Sequence, residues 1–301
     1  MRSRIIDLDG PVHVADFGGE GPALMLVHGL GGSHANWLAV GPRLAARARV
    51  VALDLPGFGR TPLEGRSPGA GASTRLLARF IETEMRGPAV LVGNSMGGML
   101  SLATASRNAE LVAGLVLVDP ALPRTRGAMI DPVVATSFAA YATPGVGEML
   151  MRRRAARLGA EGIVRETLAL CCVDPSRVPP EIVEALVALA RDRIDSMPWA
   201  NTAFLGAARS LMRTLAWRPR FDAIVRSISA PTLIVHGARD RLVPLAAVEA
   251  LVQTRRDWAL EIYDDIGHVP QLEASERFVA SVLDWLHGAG KAAAVAAMPT
   301  S

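Results

Sequence analysis

Residues 89–98 read Ala-Val-Leu-Val-Gly-Asn-Ser-Met-Gly-Gly, an apolar run that stops at a serine set between glycines. Four successive apolar residues fit a strand buried on both faces, and Gly97-Gly98-Met99-Leu100-Ser101-Leu102-Ala103 fits the opening of a helix. Ser95 then occupies a tight turn. Glycines at 93 and 97 let the two arms approach closely and hold the turn residue in a strained conformation, which pushes its hydroxyl outward as a nucleophile requires. Gly-Asn-Ser is also ordinary turn chemistry. The chain contains 28 glycines, so the surrounding sequence must decide between the two.

Working outward, short β-type runs alternate with longer helical patterns, the signature of a largely parallel sheet covered by helices. Ile5–Leu8 and Val12–Phe17 suggest an antiparallel edge hairpin, whereas Ala23–Val27, Arg49–Leu53, Ala89–Val92 and Leu115–Val118 are near-continuous apolar runs. Thr232–Val235 and Leu260–Tyr263 add two more strands, and an apolar stripe over Ser275–Leu286 predicts a closing helix. Between Asp119 and about Asp222 strand signals vanish. Helices are predicted there over Thr136–Leu158, Glu161–Cys172, Pro180–Ser196 and Thr202–Trp217, with Pro/Gly breaks at Pro144-Gly145, Asp174-Pro175, Pro179-Pro180 and Met197-Pro198. The reading is therefore an α/β core over 1–119 and 223–286, a helical cap over 120–222 inserted after the sixth strand, and a flexible Ala-rich tail over 287–301. Gly65–Ala72 reads as a surface loop.

Composition narrows the function. Hydrophobic residues make up 50% of the 301 positions, yet no uninterrupted apolar stretch of about 18 residues predicts a transmembrane segment. Asp7 and Asp9 interrupt any leader after Met1-Arg2-Ser3-Arg4, so a cytoplasmic location is expected. The net charge of +3 comes from scattered arginines, with Lys291 the only lysine, and a nucleic-acid partner is not expected. Adjacent Cys171 and Cys172 read as buried small hydrophobes, and with no His/Cys/carboxylate cluster at ligand spacing, neither metal nor organic cofactor is expected. Oligomeric state is not legible.

A serine nucleophile needs a base and a group to orient that base. Of the six histidines, His268 falls in Ile266-Gly267-His268-Val269-Pro270, just beyond the last strand and at the sheet edge where Ser95 emerges. His13, His34, His236 and His287 read as structural or solvated. Asp240, after the penultimate strand, is the expected acid, with Asp119 in Leu117-Val118-Asp119-Pro120 as its competitor. Charge developing on a carbonyl oxygen needs preorganised donors. The glycine-rich His28-Gly29-Leu30-Gly31-Gly32 offers the Leu30 N–H, to act with the Met96 N–H.

His28–Gly32, Gly93–Gly98, Gly237-Ala238-Arg239-Asp240 and Gly267-His268-Val269-Pro270, in this order and each after a strand, resemble the α/β-hydrolase superfamily, as does Asp54–Thr61 after the fourth strand. The resemblance spans roughly residues 5–286. It implies a serine hydrolase, and Ser95 stands where haloalkane dehalogenases and epoxide hydrolases carry Asp. A small, largely apolar ester is the expected substrate, held under a cap contributing Met129, Phe138, Met149 or Met212. Gly-Asn-Ser-Met-Gly-Gly also resembles meta-cleavage-product hydrolases, which cleave carbon–carbon bonds of dienoate carboxylates. That chemistry implies a buried cationic anchor such as Arg152, Arg153, Arg154, Arg157 or Arg209, although Val269 stands where those enzymes often have Trp. A noncatalytic ligand-binding role is a third alternative on this fold.

Overall fold

The computed structural model describes residues 1–125, 127 and 131–296, with side chains to residue 288. Met129 lies outside the described residues. The strands are β1 (Arg2–Asp7), β2 (Pro11–Gly18), β3 (Ala23–Val27), β4 (Arg49–Leu53), β5 (Ala89–Asn94), β6 (Val112–Val118), β7 (Thr232–Gly237) and β8 (Ala259–Tyr263). They form one sheet in the order β1-β2-β4-β3-β5-β6-β7-β8. The β1–β2 and β2–β4 pairings are antiparallel and the rest parallel. The parallel strands end nearly in step, with Val27 opposite Gly93, Asn94 opposite Val118, and Gly237 opposite Tyr263. Loops leaving those ends therefore emerge along one edge, where open α/β sheets bind ligands.

The core helices are α1 (Gly41–Leu44), α2 (Ala70–Glu84) and α3 (Met96–Arg107). Between β6 and β7 come α4 (Pro132–Ala142), α5 (Val146–Cys171), α6 (Pro180–Ser196), α7 (Ala200–Ala216) and α8 (Arg218–Ser227). The chain continues through α9 (Leu245–Thr254), α10 (Pro270–Glu273) and α11 (Ser275–Ala296). One sheet face packs Leu77, Met99, Leu100, Phe221 and Val248, and the other packs Leu44, Phe278 and Val282. Complete burial of Phe278 and Val282 contributes roughly 1.5–3 kcal/mol each and docks the apolar stripe of α11.

Among the boundaries that differ from the sequence reading, three have a local physical cause. Helix α2 already begins at Ala70, inside the stretch read as a loop, because Ser210 of α7 accepts the Ala70 N–H at 3.0 Å and supplies a cap no local residue offers. The predicted break near residue 159 is a kink inside one element, where Gly159 takes a φ of 61°. Helix α11 runs to Ala296, because the Ala-rich sequence beyond 286 propagates a helix without needing an apolar face; residues 297–301 lie outside the described structure.

The inserted helices rest on the sheet edge at several points. Val164, Leu168, Cys172, Val178 and Ile182 cluster with Val269 and Leu272, which follow His268. Cys172 is buried and Cys171 half-buried. Burial pushes the Cys171 thiol up to about 12, so it stays protonated at neutral pH.

Candidate active site

Ser95 lies between β5 and α3 with φ 54° and ψ −116°, a left-handed conformation that a residue with a side chain adopts only under strain. The turn is fixed from both sides. The Ser95 N–H donates to Val118 O at 2.9 Å and Ser95 O accepts from the Ala121 N–H at 2.9 Å. A Cβ on Gly97 would lie 2.1 Å from Val27 O, so only glycine lets the start of α3 press against the end of β3. That contact brings the His28–Gly32 loop beside Ser95. A Cβ on Gly29 would lie 3.1 Å from the Ser95 Cβ.

His268 is buried and held at three atoms. Its N–H donates to Cys171 O at 2.6 Å, its carbonyl accepts from Asn94 Nδ2 at 3.1 Å, and Nδ1 lies 2.6 Å from Asp240 Oδ2. Nδ1–H donating to that carboxylate leaves Nε2 as the acceptor nitrogen, the tautomer a general base needs. The other oxygen, Asp240 Oδ1, accepts from the N–H groups of Leu242 (2.7 Å) and Val243 (3.1 Å). Burial works to lower the His268 pKa, but the Asp240 charge and hydrogen bond outweigh it and raise the pKa above the ordinary imidazole value. Burial likewise works to raise Asp240, and the His268 charge carries it below the ordinary carboxylate range. Among the described residues Ser95 Oγ and His268 share no hydrogen bond.

Asp119, the competing acid, faces a different histidine. Its Oδ1 lies 3.0 Å from His236 Nδ1 and accepts the Gly237 N–H at 2.9 Å, while buried Oδ2 has no hydrogen-bond partner. Burial, reinforced by the Asp240 charge, pushes Asp119 up to about 6 despite His236. Thus His268 is hydrogen-bonded to Asp240 and not to Asp119.

The His28–Gly32 loop contains a residue the sequence reading did not weigh. His28 is buried; Nδ1 lies 2.8 Å from Gly29 O and Nε2 accepts the Leu55 N–H at 3.0 Å, so the ring ties this loop to the one after β4. Met96 opens α3, and a first-turn N–H has no acceptor within its own helix. Leu30 N–H has no backbone acceptor among the described residues.

Among the described residues, two groups of donor atoms lie within 4.8 Å of one another: His13, His34 and Asp54, and Asp119, Asp240 and His268. The fold assembles the first from three distant segments, which sequence spacing could not reveal. Asp54 Oδ2 already sits 2.9 Å from both His13 Nδ1 and His34 Nδ1 and accepts the Arg60 N–H at 2.9 Å, so a cation would have to displace these bonds. Burial opposes the Asp54 charge, yet the two histidine hydrogen bonds hold its pKa far below the carboxylate range.

The anchor arginines named from sequence are not placed in the interior. Arg152 and Arg153 are exposed, Arg154 and Arg157 pair with Glu166, and Arg209 pairs with Glu148 at 3.0 Å. A cation the sequence reading missed does reach the site edge: Arg193 of α6 donates from Nη2 to Gly31 O at 2.7 Å.

A family model described as the alpha/beta hydrolase fold matches residues 22–275. The chain belongs to the α/β-hydrolase family. Among relatives of this hydrolase, a pimeloyl-[acyl-carrier protein] methyl ester esterase of Aromatoleum aromaticum is 31% identical over 89% of this chain and 99% of the relative. A 2-hydroxymuconate semialdehyde hydrolase of a Pseudomonas species is 30% identical over 91% and 90%. A thermophilic esterase from Thermogutta terrifontis, solved with malate bound, superposes with a TM-score of 0.71 at 26% identity, covering 96% of this chain and 99% of the other. The hydrolase is an enzyme, and its relatives include both an esterase and a semialdehyde hydrolase. No helix among its described residues is long and apolar enough to cross a membrane.

Proposed function

We propose that this hydrolase cleaves small carboxylic esters through an acyl-enzyme on Ser95. The observation that carries this reading is the alignment of a strained serine turn with an Asp240–His268 pair, hydrogen-bonded at 2.6 Å, along the same sheet edge. His268 Nε2 takes the Ser95 proton as the hydroxyl attacks the ester carbonyl, then gives it to the leaving alcohol, and finally activates water to release the acid. Asp240 holds the tautomer and stabilises the imidazolium. The Leu30 and Met96 N–H groups receive the oxyanion. Helices α4–α7 act as the cap, in which Phe138, Tyr141 and Phe204 stack edge to face at 6.0 and 5.2 Å as an apolar wall. Similarity to the methyl ester esterase supports an ester substrate. Labelling with a fluorophosphonate, with Ser95→Ala as the control, tests the nucleophile, and turnover of p-nitrophenyl esters of graded length tests the substrate class.

Arg193 favours carbon–carbon hydrolysis of a dienoate as a second reading, because no carboxylate pairs with this guanidinium among the described residues. Similarity to the semialdehyde hydrolase supports the same alternative. Efficient cleavage of a dienoate ketone by the wild type would select it.

A further inference from the structure

The loop that carries Leu30 is held from above as well as from the sheet. Gly31 has φ 75°, and a Cβ there would lie 3.0 Å from Phe204 Cε2 of α7. Gly31 O also accepts from Arg193 Nη2 of α6 at 2.7 Å, a charge-assisted bond. Two inserted helices therefore grip one residue of this loop, immediately after the residue whose N–H is proposed to receive the oxyanion. The guanidinium is costly to keep there. Burial lowers its pKa, with the Asp54 charge only partly offsetting this, and among the described residues no carboxylate pairs with it.

We propose that Arg193 is a positioning residue that holds the oxyanion loop through Gly31 O, so that seating of α6 and α7 on the sheet edge and assembly of the oxyanion hole are one event. The inference rests on the ester reading for its kinetic consequence and on geometry alone for its structural one. With Gly31 O fixed by Arg193 and the Phe204 ring beside Gly31, rotation of the preceding peptides is restrained, and the Leu30 N–H stays aimed before charge develops on the substrate. Such preorganisation matters more in the transition state than in the ground state. Its loss falls on kcat.

Three variants separate this from packing and from substrate anchoring. Arg193→Met keeps the apolar stem without a donor, Arg193→Lys keeps a cationic donor, and Arg193→Ala removes both. For a neutral p-nitrophenyl ester, Arg193→Met and Arg193→Ala are expected to lower kcat roughly 10- to 100-fold, less than deletion of an oxyanion donor itself, while KM stays within about threefold. A trifluoromethyl ketone carrying the same acyl group should lose affinity in parallel, since it reports the tetrahedral state, and Arg193→Lys should recover much of both. Amide hydrogen exchange over residues 28–32 should rise in the Met and Ala variants and not in the Lys variant. If the Met and Ala variants bind the ketone and turn over the neutral ester within twofold of wild type, the proposal is overturned; if the defect is confined to a dienoate carboxylate, Arg193 is an anchor instead. A wild type that cleaves no ester and resists the fluorophosphonate would refute the ester reading, and the exchange measurement alone then decides whether Arg193 holds the loop.

Discussion

The side-chain amide of Asn94 donates to the main-chain oxygen of His268 at 3.1 Å, and its second contact, to Val118 O, has the same length. The residue before the proposed nucleophile thus fastens the loop that carries the proposed base and the end of the neighbouring strand. Asn94→Asp would set a carboxylate against two carbonyl oxygens. We expect it to destabilise the fold by about 2 kcal/mol or more in urea denaturation, and to lower kcat. Unchanged stability and kcat would mean that the amide does not fix the loop.

Strain at Ser95 has an opposite signature. Ser95→Gly removes the side chain from a left-handed position and is expected to raise stability by about 1 kcal/mol while abolishing turnover. Ser95→Ala keeps the strain, so its unfolding midpoint should stay near that of the wild type, with fluorophosphonate labelling lost. Labelling of Ser95→Ala at the wild-type rate would move the nucleophile elsewhere.

The two buried acids separate by their partners. Asp240→Asn disrupts the hydrogen bond proposed to set the His268 tautomer, and kcat should fall by something like 10³- to 10⁴-fold, the loss seen when the Asp of a Ser-His-Asp triad is replaced by Asn. Asp119→Asn keeps an oxygen for the Gly237 N–H and loses only its charge toward His236, so kcat should fall far less. Rate measurements giving the reverse order would assign the acid role to Asp119.

Much of this was legible because of where the residues sit in the sheet. Strands buried on both faces, such as Ala23–Val27 and Arg49–Leu53, read as near-continuous apolar runs, and their observed bounds match the expected ones. Ser95 and Asp240 each follow a strand buried along its whole length, and His268 follows the edge strand β8, so their common edge could be inferred. Contacts between segments distant in sequence could not. Arg193 looks like any arginine on a polar helix until α6 is laid over Gly31, whereas the conspicuous Arg152-Arg153-Arg154 run lies toward solvent or Glu166. Asp54 gathers His13 and His34 in the same hidden way.

The pH dependence of kcat/KM follows from the sign of the His268 shift. His268 must be neutral to act as base, and Asp240 raises its pKa above the ordinary imidazole value of about 6.5. Activity is therefore lost as the pH falls through that raised pKa, and the rising limb should lie on the alkaline side of about 6.5. In Asp240→Asn the limb should move toward acid, because burial then acts unopposed by that charge. A wild-type limb below pH 6 would contradict the ion pair as the dominant influence.

Phe138, Tyr141 and Phe204 contact one another in the proposed cap, and acyl length is the test that separates the two chemistries. Burial of each methylene contributes roughly 0.8 kcal/mol, so for an esterase kcat/KM should rise about fourfold per added acyl carbon until the space under the cap is filled. It should then stop rising. Under this reading Ala variants of Arg152, Arg153, Arg154, Arg157 and Arg209 keep neutral-ester activity within a few-fold, since these arginines face solvent or pair with Glu166 or Glu148. A dienoate ketone should be cleaved poorly, because the Arg193 guanidinium is already committed to Gly31 O. A flat acyl series together with efficient dienoate cleavage would reverse the assignment, making the substrate carboxylate the main source of binding.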